Sequence, residues 1–120
     1  STKNKIIKYG IECNFQILDP MLYRDLLDQI AKSKFIITDS GGLIKEAYWL
    51  EKPSLSIMRN PVWPELLDAN VSYNATPAHR DIINGFQKLE LIKKFKKGIF
   101  GSGDTSKRIV DIIIKNYKNE

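Results

Sequence analysis

Short apolar stretches of four or five residues alternate with helical patterns along this chain, each pair separated by a brief turn. That alternation restricts the fold more than any other feature, because strands interleaved with helices build βαβ units and a parallel sheet. Residues 3–9 read as a short helix, and residues 14–18 as a first strand ending at Asp19-Pro20. Residues 21–33 place Leu22, Leu26, Leu27 and Ile30 at helical spacing, with Pro20 opening the helix. A second strand, 35–38, is apolar without alternation, which suits burial on both faces. Helix follows over about 42–51, and Lys52-Pro53 stops it before a third strand at 54–58. Residues 59–65 hold two prolines and Trp63, a shaped loop that leads into a short helix through Asp68; residues 70–73 form the fourth strand. Thr76 is placed to cap a helix starting at Pro77, with Ile82, Ile83, Phe86 and Leu89 inward and Gly85 weakening its middle. A second, basic helical piece covers about 88–96. Beyond a linker with Gly98, Gly101 and Gly103, Asp104 or Thr105 caps a last helix carrying Ile109, Ile112, Ile113 and Tyr117 on one stripe. The fold class is α/β, with about four parallel strands between helices and one domain over residues 1–120.

Composition narrows the function. The longest apolar run, residues 47–50, has four residues, whereas a membrane-spanning helix needs about 20 and a signal-peptide core about 7 to 15. The reading is therefore no membrane partner and a cytoplasmic location. A lone Cys13 makes no internal disulfide, and with His79 as the single histidine the chain lacks the ligands of a structural zinc site, so no metal is expected. At 120 residues, burial of roughly 60 to 70% of the unfolded surface is expected, enough for one core. The net charge of +5 lies wholly in the last third, where residues 80–120 hold ten basic and five acidic side chains. Its densest part is Lys93, Lys94, Lys96 and Lys97, which we read as the solvated end of a helix and not as a nucleic-acid site.

The stretch Phe35-Ile36-Ile37-Thr38-Asp39-Ser40-Gly41-Gly42 carries a buried strand directly into a helix through small and hydroxyl residues. Ligands of open α/β sheets bind at such carboxyl ends of strands. The first N–H groups of the helix have no intrahelical partner, glycine admits a phosphate close to them, and Ser40 adds a hydroxyl donor. Glu46 lies four residues beyond Gly42, on the same helix face, where a carboxylate can accept from two vicinal ribose hydroxyls. Together these residues describe a nucleoside diphosphate site. The same residues also suit a simpler arrangement in which Asp39 and Ser40 cap the helix and the glycines tighten the turn.

The run Thr38-Asp39-Ser40-Gly41-Gly42 with Glu46, then Lys52-Pro53, a strand ending in Arg59, Pro64-Glu65, Asn70, and Gly101 to Val110, resembles the C-terminal region of the non-hydrolysing UDP-N-acetylglucosamine 2-epimerases. The resemblance implies a Rossmann-like sheet forming part of a two-domain glycosyltransferase-B-like enzyme that closes on a UDP-sugar. It implies that Ser40 and Gly41 contact the diphosphate with Gly42 nearby, that Glu46 binds the ribose, and that Leu26, Arg59 and Trp63 are additional contacts. The implied reaction inverts C2 of a 2-acetamido sugar by eliminating UDP to a glycal and adding it back on the other face. Its carboxylates lie in an N-terminal catalytic domain and its histidine earlier than this chain reaches, so no catalytic residue is assigned here. His79 falls elsewhere. No cofactor is implied, and the complete enzyme could be a homodimer.

Three departures stand out. Lys45 occupies the place of a second glutamate, Leu26 that of an aromatic residue stacking on uracil, and the loop Arg59-Asn60-Pro61-Val62-Trp63-Pro64-Glu65 is one residue shorter than Arg-Asp-Thr-Thr-Glu-Arg-Pro-Glu, with Trp63 in place of arginine. These changes leave the identity of the UDP-2-acetamido sugar open. They leave room too for a hydrolysing relative, a glycosyltransferase donor domain or a non-catalytic basic binding module. Gly101-x-Gly103 reads as a loop into a helix, Cys13 as an inert thiol, and Trp49 as a core residue facing the sheet. Trp63 suits packing and ligand contact equally.

Overall fold

The computed structural model describes residues 2–117. In chain order these are helices α1 (Thr2–Lys8) and α2 (Tyr23–Lys32), strand β1 (Ile36–Thr38), helix α3 (Gly41–Trp49), strand β2 (Ser54–Ile57), helix α4 (Pro64–Asp68), strand β3 (Ser72–Ala75), and helices α5 (His79–Glu90) and α6 (Thr105–Tyr117). The three strands form one parallel sheet in the order β1-β2-β3, with Ile36 opposite Ser54 and Ser54 opposite Ser72. Consecutive parallel neighbours joined by helices are the βαβ repeat that the alternating pattern requires.

The sheet has three strands among the described residues, one fewer than expected. Residues 14–18 run without strand pairing, and Phe15, Ile17 and Leu18 are exposed; an apolar alternation becomes a strand only where a neighbour supplies the ladder. β1 is consequently an edge, and Ile37 is 43% exposed where burial on both faces was expected. Strand β3 begins two residues later than expected because Asn70 adopts a left-handed conformation that ends α4. Glu51, also left-handed, turns the chain out of α3, and the Lys52 amide then closes on the Ala47 carbonyl at 2.8 Å.

Two apolar clusters sandwich the sheet. Ile44 and Tyr48 of α3 pack with Leu66 of α4 and Val71, while Leu55, Ala75 and Leu89 pack beneath α5. Tyr48 is buried and Trp49 is 53% exposed, the reverse of the expected core placement of Trp49. The helix phase decides this: Ile44, Ala47 and Tyr48 share the buried face, and Trp49 falls 100° further round. Gly85 is buried in α5 because the helix lies so close to β2 that a Cβ there would stand 2.5 Å from Leu55 Cδ1. Ile83, expected to face inward, is 44% exposed.

Other local readings change as well. Helix α2 starts at Tyr23 with Leu22 as N-cap, so Pro20 lies ahead of the helix and does not open it. Helix α5 starts at His79, and Thr76 bonds to the Ala78 amide at 3.3 Å and to the Asp81 carboxylate, tying the turn instead of capping a helix at Pro77. No helix covers 91–96, so Lys93, Lys94, Lys96 and Lys97 lie on an irregular exposed segment in which Lys97 pairs with Glu51 at 2.6 Å. Helix α6 forms as expected, yet none of its residues is buried, and Ile109, Ile112, Ile113 and Tyr117 are all exposed. The accessible surface of 9603 Å² exceeds the ~6,600 Å² of a compact monomer of this mass, so burial is near half of the unfolded surface and not 60 to 70%. No described helix is long and apolar enough to cross a membrane.

Candidate functional site

Parallel pairing puts the carboxyl ends of β1 and β2 side by side, with Thr38 opposite Ser56, so that residues 39–42 and 58–63 meet at one rim of the sheet. At that rim Ser40 is the N-cap of α3, in extended conformation, and its Oγ accepts from the Leu43 amide at 3.4 Å. Its own amide donates to Thr38 Oγ1 at 3.1 Å, and its carbonyl accepts from Ile44. Helix capping is therefore realised. It does not exhaust the donors: the Ser40 O–H stays available, and the Gly41 and Gly42 amides make no hydrogen bond among the described residues. Ser40 and Gly42 are exposed and Gly41 is half-buried.

Glu46 follows Gly42 by one turn of α3 and is half-buried. Facing it across the α2–α3 contact is Tyr23, whose phenol is held above its ordinary pKa, first by hydrogen bonding to the Glu46 carboxylate, then by desolvation and by the carboxylate's charge. Tyr23 is 60% exposed, at the first turn of α2. The sequence reading missed it. The available signal was its spacing, three residues before Leu26 and so on the same side of the helix.

Leu26 lies among Phe15, Ile17, Leu18 and Met21 at a largely apolar hollow of about 650 Å³. Arg59, two residues beyond β2, is exposed and makes no ion pair among the described residues. Trp63 is packed: its indole Nε1 donates to the Gly41 carbonyl at 2.8 Å, and its ring meets Phe100 edge-on at 5.7 Å. Lys45 sits over both rings, with Nζ 4.0 Å from the Trp63 centroid and 4.6 Å from that of Phe100. The structure thus brings Ser40, Gly41, Gly42 and Trp63 to the N-terminal end of α3, with Glu46 one turn along it, and leaves Leu26 on the separate hollow. His79 opens α5, after β3. Outward N–H groups, a hydroxyl and a carboxylate one turn on are groups that bind and orient an anion with a neighbouring diol.

Comparison with known proteins bears on the family and the fold. The family model described as UDP-N-acetylglucosamine 2-epimerase matches residues 1–114. Among curated proteins, the UDP-N-acetylglucosamine 2-epimerase of Campylobacter jejuni is 34% identical over 113 residues, covering 89% of this chain and 30% of the relative. The UDP-2,3-diacetamido-2,3-dideoxy-D-glucuronate 2-epimerase of Pseudomonas aeruginosa is 30% identical over 118 residues, covering 95% of this chain and 32% of the relative. The solved UDP-GlcNAc 2-epimerase of Methanocaldococcus jannaschii superposes with a TM-score of 0.80 at 24% identity, over 95% of this chain and 33% of that one. The chain spans about a third of the length of the curated relatives it matches. With a matching family model over nearly all its length and the same Rossmann-like α/β fold, the chain belongs to the UDP-N-acetylglucosamine 2-epimerase family.

Proposed function

We propose that these residues are the UDP-binding part of an enzyme that inverts C2 of a UDP-2-acetamido sugar, and that residues 1–120 form part of its C-terminal domain. The observation that carries the reading is the α3 N-terminus, where the free Gly41 and Gly42 amides, the Ser40 hydroxyl and Glu46 one turn on stand in the order diphosphate, then ribose. Arg59, on the same rim, adds a cation for the phosphates. In the reaction the C2 proton is removed as the C1–O bond to UDP breaks, and UDP returns to C1 as a proton is delivered to the opposite face of C2. The groups that move that proton come from an N-terminal catalytic domain. Exposed Ile37, Phe15, Ile17 and the α6 stripe support the reading that more protein covers them, from the same polypeptide or a second copy in a homodimer. A reducing cytoplasm suits the single unpaired Cys13.

Amide chemical-shift mapping with UDP and with inorganic diphosphate in parallel tests this. Both ligands are expected to shift residues 38–46, with affinity in the millimolar range, about 4 kcal/mol, for half a cleft. Glu46→Gln is expected to weaken UDP and leave diphosphate nearly unchanged, since only the ribose contact is altered. Shifts clustered elsewhere, or equal weakening of both ligands, would place the nucleotide wrongly here.

A further inference from the structure

Trp63 is tied to the front of α3 from several sides. Its Nε1–H donates to the Gly41 carbonyl at 2.8 Å, and neighbouring Val62 lies close enough that a Cβ on Gly41 would stand 3.4 Å from its Cγ2. The opposite side of the indole is closed by Phe100 and by the Lys45 ammonium, which comes from the second turn of α3 itself. Phe100 is in turn packed edge-on against Tyr48 at 5.4 Å, and the adjacent Ile99 amide donates to the Tyr48 hydroxyl at 2.8 Å. The loop, the helix and the segment after α5 therefore meet on this one ring.

The hydrogen bond to Gly41 bears on ligand binding through peptide geometry. The Gly41 carbonyl and the Gly42 N–H belong to one planar trans peptide and point in opposite directions. An indole bonded to that carbonyl therefore adds to the helix in fixing the direction of the N–H, and bonding at the carbonyl polarises that N–H into a better donor. We propose that Trp63, with Lys45 seated over it, is a positioning residue for a bound diphosphate, acting through the Gly41-Gly42 peptide and not by touching the ligand. This rests on the nucleotide reading above. The Lys45 ammonium lies over both the Trp63 and Phe100 rings and makes no ion pair among the described residues, so it holds the indole in place through its aromatic face.

The test uses the 120-residue chain carrying Trp49→Phe, which removes the other, exposed indole and leaves Trp63 as the single indole N–H resonance. Inorganic diphosphate and UDP are titrated separately while that resonance and the Gly42 amide are followed by NMR. The Trp63 Nε1–H resonance is expected to move with the same saturation as Gly42. Trp63→Phe keeps a ring for Lys45 and Phe100 but loses the donor, and it is expected to weaken diphosphate about three- to tenfold, the worth of roughly one neutral hydrogen bond. A merely structural Trp63 would leave the indole resonance still while residues 38–46 shift, and that result overturns the proposal even if Trp63→Phe fails to fold. Unchanged diphosphate affinity in Trp63→Phe overturns it as well. Residues 38–46 unmoved by either ligand in the parent protein would instead sink the nucleotide reading, and this proposal with it.

Discussion

Gly85→Ala in α5 sets two well-known effects against each other. In an open helix the change stabilises by about 1 kcal/mol, because glycine is the poorer helix former. Here the new methyl would stand 2.5 Å from Leu55 Cδ1, 3.1 Å from Cδ2 and 3.4 Å from Cγ, whereas carbon atoms in contact prefer about 3.5 to 4.0 Å. Both Leu55 methyls crowd the point and Leu55 is fully buried, so its side chain can give way only by pushing into packed neighbours. Overpacking of this kind costs about 1 to 3 kcal/mol, so the net expectation is a loss of up to about 2 kcal/mol after the helix gain is subtracted. Leu55→Ala removes the obstructing atoms at its own cost of about 2 to 5 kcal/mol. On that background Gly85→Ala is expected to change sign and stabilise by about 1 kcal/mol. Urea unfolding of the four proteins, followed by far-UV circular dichroism, measures the coupling directly. An increase in midpoint for Gly85→Ala with Leu55 intact, or the same shift in both backgrounds, would refute the claim that close helix–sheet approach selects glycine here.

Two further outcomes follow from the site. Tyr23 is expected to ionise above the ordinary tyrosine range, and Glu46→Gln to lower its pKa by removing the carboxylate that holds the proton on; ring-carbon NMR titration reads this. Since the folded-state pKa is raised, the stabilisation is present below the unfolded value and lost as pH rises through the folded one, so stability is expected to fall less steeply with alkaline pH in Tyr23→Phe than in the parent, and equal slopes would refute this sign. The 120-residue chain alone is expected to incorporate no solvent deuterium at C2 of UDP-N-acetylglucosamine, and NMR detection of exchange there would show that it holds its own proton-transferring groups.

The local order of elements was legible in the sequence because it depends on period and punctuation. Ser40 before Gly41-Gly42 marked the start of α3 and Lys52-Pro53 the break between α3 and β2, each through a backbone preference that acts within a few residues, whereas α3 itself ends earlier, at Trp49, and α4 begins already at Pro64, inside the stretch read as a loop. The candidate site residues Ser40, Gly41, Gly42 and Glu46 could be grouped from the sequence for the same reason, since they lie on one turn and the helix that follows it.

What the sequence could not decide is what lies opposite each element. Among the described residues, residues 14–18 have a strand's apolar pattern and no strand to pair with, and the apolar stripe of α6 stays exposed. Tyr48 or Trp49 could each have filled the core, and the phase of α3 over β2 chose Tyr48. Trp63 met Gly41 across 22 positions, Lys45 reached Phe100 across 55, and Tyr23 came to Glu46 only because α2 docks on α3. Periodicity is a property of neighbours along the chain, whereas these pairings are set by how helices seat on the sheet, so tertiary packing alone determined them.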